Sequence, residues 1–200
     1  MNSRIITISR EFGSGGRTIG KQTAERLRIP CYDAELIQKI AEESGLASEY
    51  IKEKEEHSVH ANPFVNIFMS DRSNGGFSMQ DYLWSVQRQV ICELAQKGSC
   101  VIVGRCADYI LRERQDLLTV FIHADIEKRA ERVERVYGEM DDMPVLKRVK
   151  DKDKRWKTYH RFYTDTEWGV AQNYHICLDS GALGIESCVD ILCGLCVKRA

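Results

Sequence analysis

The sequence predicts an α/β layered fold built on a parallel central sheet, and three observations carry that expectation. Continuous apolar runs recur at residues 4–8, 99–105, 117–125 and 174–180, as strands covered on both faces require. Segments with helical spacing separate them. The first run ends in a glycine cluster that passes directly into a helix. Alternating strands and helices imply parallel strands, right-handed crossovers, and binding groups at the carboxyl ends of the strands.

The elements follow in order. "RIITI" (4–8) is a strand, and Ile19, Thr23, Ala24 and Leu27 mark the helix after the glycines. Residues 44–78, with the charged "KEKEEHS" and the turn-rich "SDRSNGGFS", fit the alternation least and read as an insertion over the edge of the sheet. Ser78 and Asp81 resemble a capping box for a helix whose stripe is Leu83, Val86, Val90 and Leu94, stopped by Gly98. "SCVIVGR", "LLTVFIHAD" and "YHICLDS" supply three further strands. Ile185, Val189, Leu192, Cys193 and Cys196 form a final helical stripe facing the sheet.

The 200 residues, 43% of them hydrophobic, suffice for one domain with a small inserted lid. No run approaches the roughly 20 apolar residues of a membrane span, and "MNSRIITIS" lacks a secretory layout, so a cytoplasmic chain with no membrane partner is expected. The 8 cysteines lie in apolar segments and read as reduced thiols. The pair Cys193 and Cys196 has no second pair to complete a zinc site, and His57 and His60 read as solvated loop residues. A net charge of -1 exerts no global pull on nucleic acid. "KRVKDKDKRWKTYHR" (147–161) nevertheless holds eight Lys/Arg against two Asp, a local +6 (8 − 2). Trp156 and Tyr159 within it are expected to serve helix packing rather than a nucleic-acid surface.

"SREFGSGGRTIGK" (9–21) reads as a phosphate-binding loop without its lysine. Such loops use glycines so that successive N–H groups meet phosphate oxygens, a lysine for charge, and a hydroxyl for Mg²⁺. Two registers compete. One ends on Lys21, inside the helix. The other wraps phosphate with Gly13, Ser14 and Gly15, and puts Gly16 at the lysine position and Arg17 at the hydroxyl position. The second is preferred, because the anion site belongs at the helix N-terminus. Arg17, the first cation after the glycines, is the expected replacement for the lysine.

These residues, with "PCYDAELI", "VIVGRCADYIL", "VFIHADIEKRAERV", "DKRWKTYHRFYTDTEWG" and "NYHICLDSGALGIESCV", resemble the cytidylate kinase-like family over nearly the whole chain. The resemblance implies a three-layer P-loop fold with a five-stranded parallel sheet, a monophosphate-binding insertion (44–78) and a helical lid (126–163). It also implies transfer of phosphate from ATP, with Mg²⁺, to CMP, dCMP or a similar acceptor. Residue by residue, Gly13, Ser14, Gly15 and Thr18 match the nucleotide loop, and Gly16 and Arg17 complete it in place of the usual lysine and hydroxyl residues. Asp33 and Arg105 match acceptor-phosphate residues, and Asp108 is the substitute base reader. Arg129, Arg132, Arg155 and Arg161, with Lys154, match the cationic helix and lid that stabilise the transferred group. The departures are Gly16 and Arg17 in the loop, Val103 where an acid precedes Gly-Arg, and Cys106 where an aspartate would read cytosine. Glu11 or Asp33 is left to hold the metal. A catalytically inactive nucleotide-binding regulator is the alternative of a different class, and an RNA-binding module on the basic segment a third.

Overall fold

The computed structural model describes residues 4–33, 79–138 and 143–197. The chain divides into two compact units, Met1–Asp33 with Lys97–Ala200, and Ala34–Gln96. Among the described residues the strands all fall in the first unit, in the order β2-β3-β1-β4-β5, every neighbouring pair parallel. They are β1 (Ile5–Arg10), β2 (Cys31–Tyr32), β3 (Cys100–Val103), β4 (Leu117–His123) and β5 (Ile176–Asp179). Central β1 pairs Ile6 with Val101 on one side and with Leu118 on the other. Connections leave β1 toward one edge and β4 toward the other, so a crevice opens at the carboxyl end of β1.

The apolar runs divide by alternate residues between the two faces of the sheet. Ile6, Ile8, Val101, Val103, Leu118, Val120, Ile122 and Leu178 form one core with Ile19 and Ala24 of α1 (Gly16–Leu27). The last helix of the chain closes this core with Cys188, Val189 and Leu192. Phe121 faces the other way, edge-on to Trp168 at 5.1 Å and beside Tyr174 at 5.0 Å. The side chain of Trp156 extends that aromatic cluster.

The remaining helices of this unit are α3 (Ala107–Ile110), α4 (Ile126–Tyr137), α5 (Val145–Thr164), α6 (Ser180–Leu183) and α7 (Ile185–Val197). Asp125 caps α4 by accepting from the Glu127 amide, and Ala130, Val133 and Val149 pack α4 on α5 with Phe12 of the loop. The second unit contributes α2 (Met79–Gln96). Its buried face runs through Gln87, Val90, Ile91, Leu94 and Ala95, so the predicted stripe is rotated by about one residue away from Val86. The Ser78 cap and residues 44–78 lie outside the described residues, as do four of the lid region, 139–142. Among the described residues no helix is long and apolar enough to cross a membrane.

All eight cysteines are free. Burial pushes the Cys100 thiol up to about 12 and raises Cys188, Cys193 and Cys196 as well, so they are neutral packing groups at physiological pH. Their stripe on α7 faces the core as predicted. Leu192, fully buried there, should cost about 2–5 kcal/mol when cut to alanine, whereas Leu195→Ala, on the exposed side of α7, should cost under about 1 kcal/mol. Paired denaturant unfolding curves check the difference.

Candidate functional site

The glycine loop leaves β1 at Arg10 and enters α1 at Gly15, an N-cap residue with φ 79°. Gly13, Ser14, Gly15, Gly16, Arg17 and Thr18 therefore lie between the carboxyl end of the central strand and the first turn of α1. Lys21 lies within α1 and is exposed. No side chain caps α1 and no acid stands in its first turn. The amides of Gly13, Gly15, Gly16, Arg17 and Thr18 meet no protein acceptor among the described residues. Free donors at a helix start, with the dipole behind them, are the groups from which anion sites are built.

Other groups hold the loop in shape. The Glu11 amide donates to Ile122 O at 2.9 Å, and the Ser14 hydroxyl donates to Glu11 O at 2.8 Å. Ser180 Oγ donates to Ser14 O at 2.5 Å, tying the loop to α6. Phe12 N donates to Asp153 Oδ1 at 2.9 Å, tying it to α5. The free amides thus belong to a fixed cradle rather than to a frayed turn.

Four arginines border this cradle. Arg132 of α4 donates to Thr18 Oγ1 at 2.9 Å, and its guanidinium passes against Gly15. Arg17 pairs with Asp33 at 2.5 Å, with about half of its side chain in solvent. Arg105 follows β3 in a turn where Gly104, Arg105 and Cys106 have φ 79°, 60° and 53°. Left-handed φ at two consecutive non-glycine residues stores backbone strain of a kind that clusters at binding sites. Arg10, at the end of β1, lies 4.6 Å from the Trp156 ring centroid. Burial pulls Arg10 down to about 10 and lowers Arg105 too, yet both stay charged at neutral pH. The field at Arg10 combines Asp33, which favours its charge, with Arg105 and Arg17, which oppose it.

The other expected residues fall elsewhere. Arg129 is almost fully buried, and its donors are committed to Ala124 O, Phe12 O, Asp153 at 2.5 Å and Glu11 at 3.3 Å. A guanidinium so engaged positions the loop; gripping a phosphoryl group would require breaking those bonds. Glu11 also accepts from the Ala124 amide, and burial raises its carboxyl despite Arg129. Arg161 is 71% exposed and pairs loosely with Glu167, and Lys154 is exposed. Arg155 is partly buried on α5 and bears electrostatically on Lys152. Asp108, expected as the base reader, is buried, with Oδ2 3.5 Å from His160 Nε2 and Oδ1 without a hydrogen-bond partner among the described residues.

Sequence reasoning passed over two residues here. Trp156 does pack, as expected, but it also presents its ring to Arg10. Arg10 itself sits one residue past the apolar signal of β1, so periodicity alone gives it no function. Among the described residues no three His, Cys, Asp or Glu side chains gather to hold a metal. Asp33 pairs with Arg17 through Oδ2 and also bears electrostatically on Arg10 and Arg105.

A central strand that ends in a glycine loop and an uncapped helix, in a sheet ordered 2-3-1-4-5, defines the class as a P-loop kinase-type fold. The chain belongs to the cytidylate kinase-like family, whose family model matches residues 5–182. An uncharacterized protein from Eubacterium ventriosum is 29% identical, with a TM-score of 0.72 over 98% of this chain and 99% of that one. A protein from Thermus thermophilus (14% identity, TM-score 0.60, 100% of both chains) shares the fold. So does shikimate kinase from Bacteroides thetaiotaomicron (16%, TM-score 0.55, 96% and 98%). None of the curated proteins compared matches the chain.

Removing Arg129 leaves the partly buried carboxylates of Glu11 and Asp153 without their cation. Arg129→Met should therefore destabilise by about 3–5 kcal/mol, while Arg132→Ala should stay within about 1 kcal/mol of wild type. Urea unfolding measures both.

Proposed function

We propose that the chain is a nucleoside monophosphate kinase-like phosphotransferase, with ATP at the α1 cradle and a monophosphate, (d)CMP being the first to test, at Arg105 and Asp33. The observation that carries this reading is the set of uncommitted amides from Gly13 to Thr18 facing a group of guanidiniums with few carboxylates among them. Donor phosphates would take the amides and Arg132, and the planar fork of Arg105 suits two oxygens of an acceptor phosphate. Phosphoryl transfer draws its catalysis from positioning and charge, and both are supplied here by side chains already fixed in place.

Mg²⁺ usually binds through one or two carboxylates, waters and the phosphates of its nucleotide rather than a full protein cage. Asp33 fits that part, with the Thr18 hydroxyl at the start of α1 as a second ligand. The metal would offset phosphate charge. Arg155 and Arg161, on α5, would act only if that helix approaches bound nucleotide.

One observation favours a second reading, a nucleotide-binding regulator without turnover. Val103 stands at the end of β3, where an acid would assist the metal, and it is buried among apolar groups. A coupled ADP-release assay across all the nucleoside monophosphates separates the two: turnover with a pyrimidine monophosphate supports the kinase, and ATP binding without turnover supports the regulator. Salt-sensitive RNA binding without nucleotide affinity would contradict both. If the kinase holds, Arg105→Lys should lower kcat/KM for the acceptor by about ten- to hundredfold while leaving KM for ATP unchanged, because charge remains and the fork is lost.

A further inference from the structure

We propose that Arg10, not Arg17, is the cation that grips the donor phosphates in place of the missing loop lysine. The inference rests on the nucleotide-binding reading above and assigns within it a residue on the other side of the glycines. Three contacts locate the side chain. A Cβ at Gly16, where the lysine would stand, would lie 2.5 Å from Arg10 Cβ and 2.9 Å from Cγ. The stem of Arg10 thus fills the space through which a side chain at 16 would leave the helix. A Cβ at Gly104 would lie 2.0 Å from Arg10 Nη1, so the guanidinium rests directly on the residue before Arg105. Trp156 of α5 covers it from a third side at 4.6 Å.

This path runs from the start of α1 to the Gly-Arg turn, that is, from the donor cradle to the acceptor arginine. A cation there stands where the transferred phosphoryl group has to pass. Glycine at 16 is needed for it, because any side chain there would collide with the Arg10 stem, and at 104 the guanidinium occupies the space a side chain would take. Lysine at 16 and arginine at 10 are therefore alternatives for one space.

The guanidinium also lacks acceptors. Among the described residues Arg10 makes no side-chain hydrogen bond or ion pair; Asp33 acts on it only through the field, which Arg105 and Arg17 counter. Its N–H donors are not taken up by protein oxygens, so phosphate oxygens can accept from them in charge-assisted bonds. Arg17 differs on each count, being half in solvent and already bonded to Asp33. A purely structural role for Arg10, stacking on Trp156 to fasten α5, is the competing account.

Calorimetric titration of ATP, ADP and AMP into wild type, Arg10→Met, Gly16→Lys and the double variant Arg10→Gly/Gly16→Lys separates them. Arg10→Met keeps the stem and should weaken ATP binding by about ten- to hundredfold and AMP binding by less than about threefold. Gly16→Lys alone should lose ATP binding, since its side chain meets the Arg10 stem. The double variant frees that space for lysine and should bind ATP within about fivefold of wild type. ATP affinity unchanged in Arg10→Met would overturn the assignment, as would equal losses for ATP and AMP with no recovery in the double variant. Should Arg10→Met not fold, the double variant alone decides. A wild-type protein that binds no nucleoside triphosphate would bring down the nucleotide reading and this inference together, whereas the other failures leave the nucleotide reading standing.

Discussion

Everything at the site depends on one buried cation. Arg129 holds Glu11 from the loop and Asp153 from α5 around a single guanidinium, and it donates to the carbonyl of Phe12 between them. Asp153 in turn accepts from the Phe12 amide. Loop, α4 and α5 are thereby fixed by charge-assisted bonds with little access to water, where such bonds are strong and their loss is severe. Without that tie the loop amides would be free to find other partners. With it they stay uncommitted, and the cradle exists before any ligand arrives.

A second layer of charge faces the cradle. Arg10, Arg17, Arg105 and Arg132 gather at the carboxyl ends of β1 and β3 with Asp33 as the acid paired among them. Burial out of water lowers both Arg10 and Arg105, and at Arg10 the neighbouring Arg105 and Arg17 add repulsion in the same direction. An anion with several oxygens removes that repulsion. The strain of the Gly104–Cys106 turn belongs to the same economy of placement, since it brings Arg105 to the strand end at the expense of two unfavourable backbone conformations.

Much of this was legible in the sequence. Continuous apolar runs identified buried parallel strands, and the glycine spacing located the turn from β1 into α1, because both follow from local chemistry that no distant residue alters. Gly104 and Arg105 could be placed for the same reason: they follow a strand. The side-chain partners were not legible. Arg129 and Arg132 look equivalent as two arginines on one helix, yet Arg129 turns inward to carboxylates 118 and 24 positions away in sequence and Arg132 outward to Thr18. Nor does the sequence show that Asp108 lies beside His160, 52 positions on. Arg10 was hidden by its strand, and the signal that exposes it is a pair of glycines, Gly16 and Gly104, which only the fold brings together.

The central claim is that the amides at the start of α1 receive the phosphates of a nucleotide. Titrating ATP into ¹⁵N-labelled protein and following the backbone amides tests it most directly. The account predicts that Gly13, Gly15, Gly16, Arg17 and Thr18 shift strongly and together, saturating at one concentration, as their protons take phosphate oxygens. Saturable shifts confined to other parts of the chain, with these five amides unmoved, would contradict it.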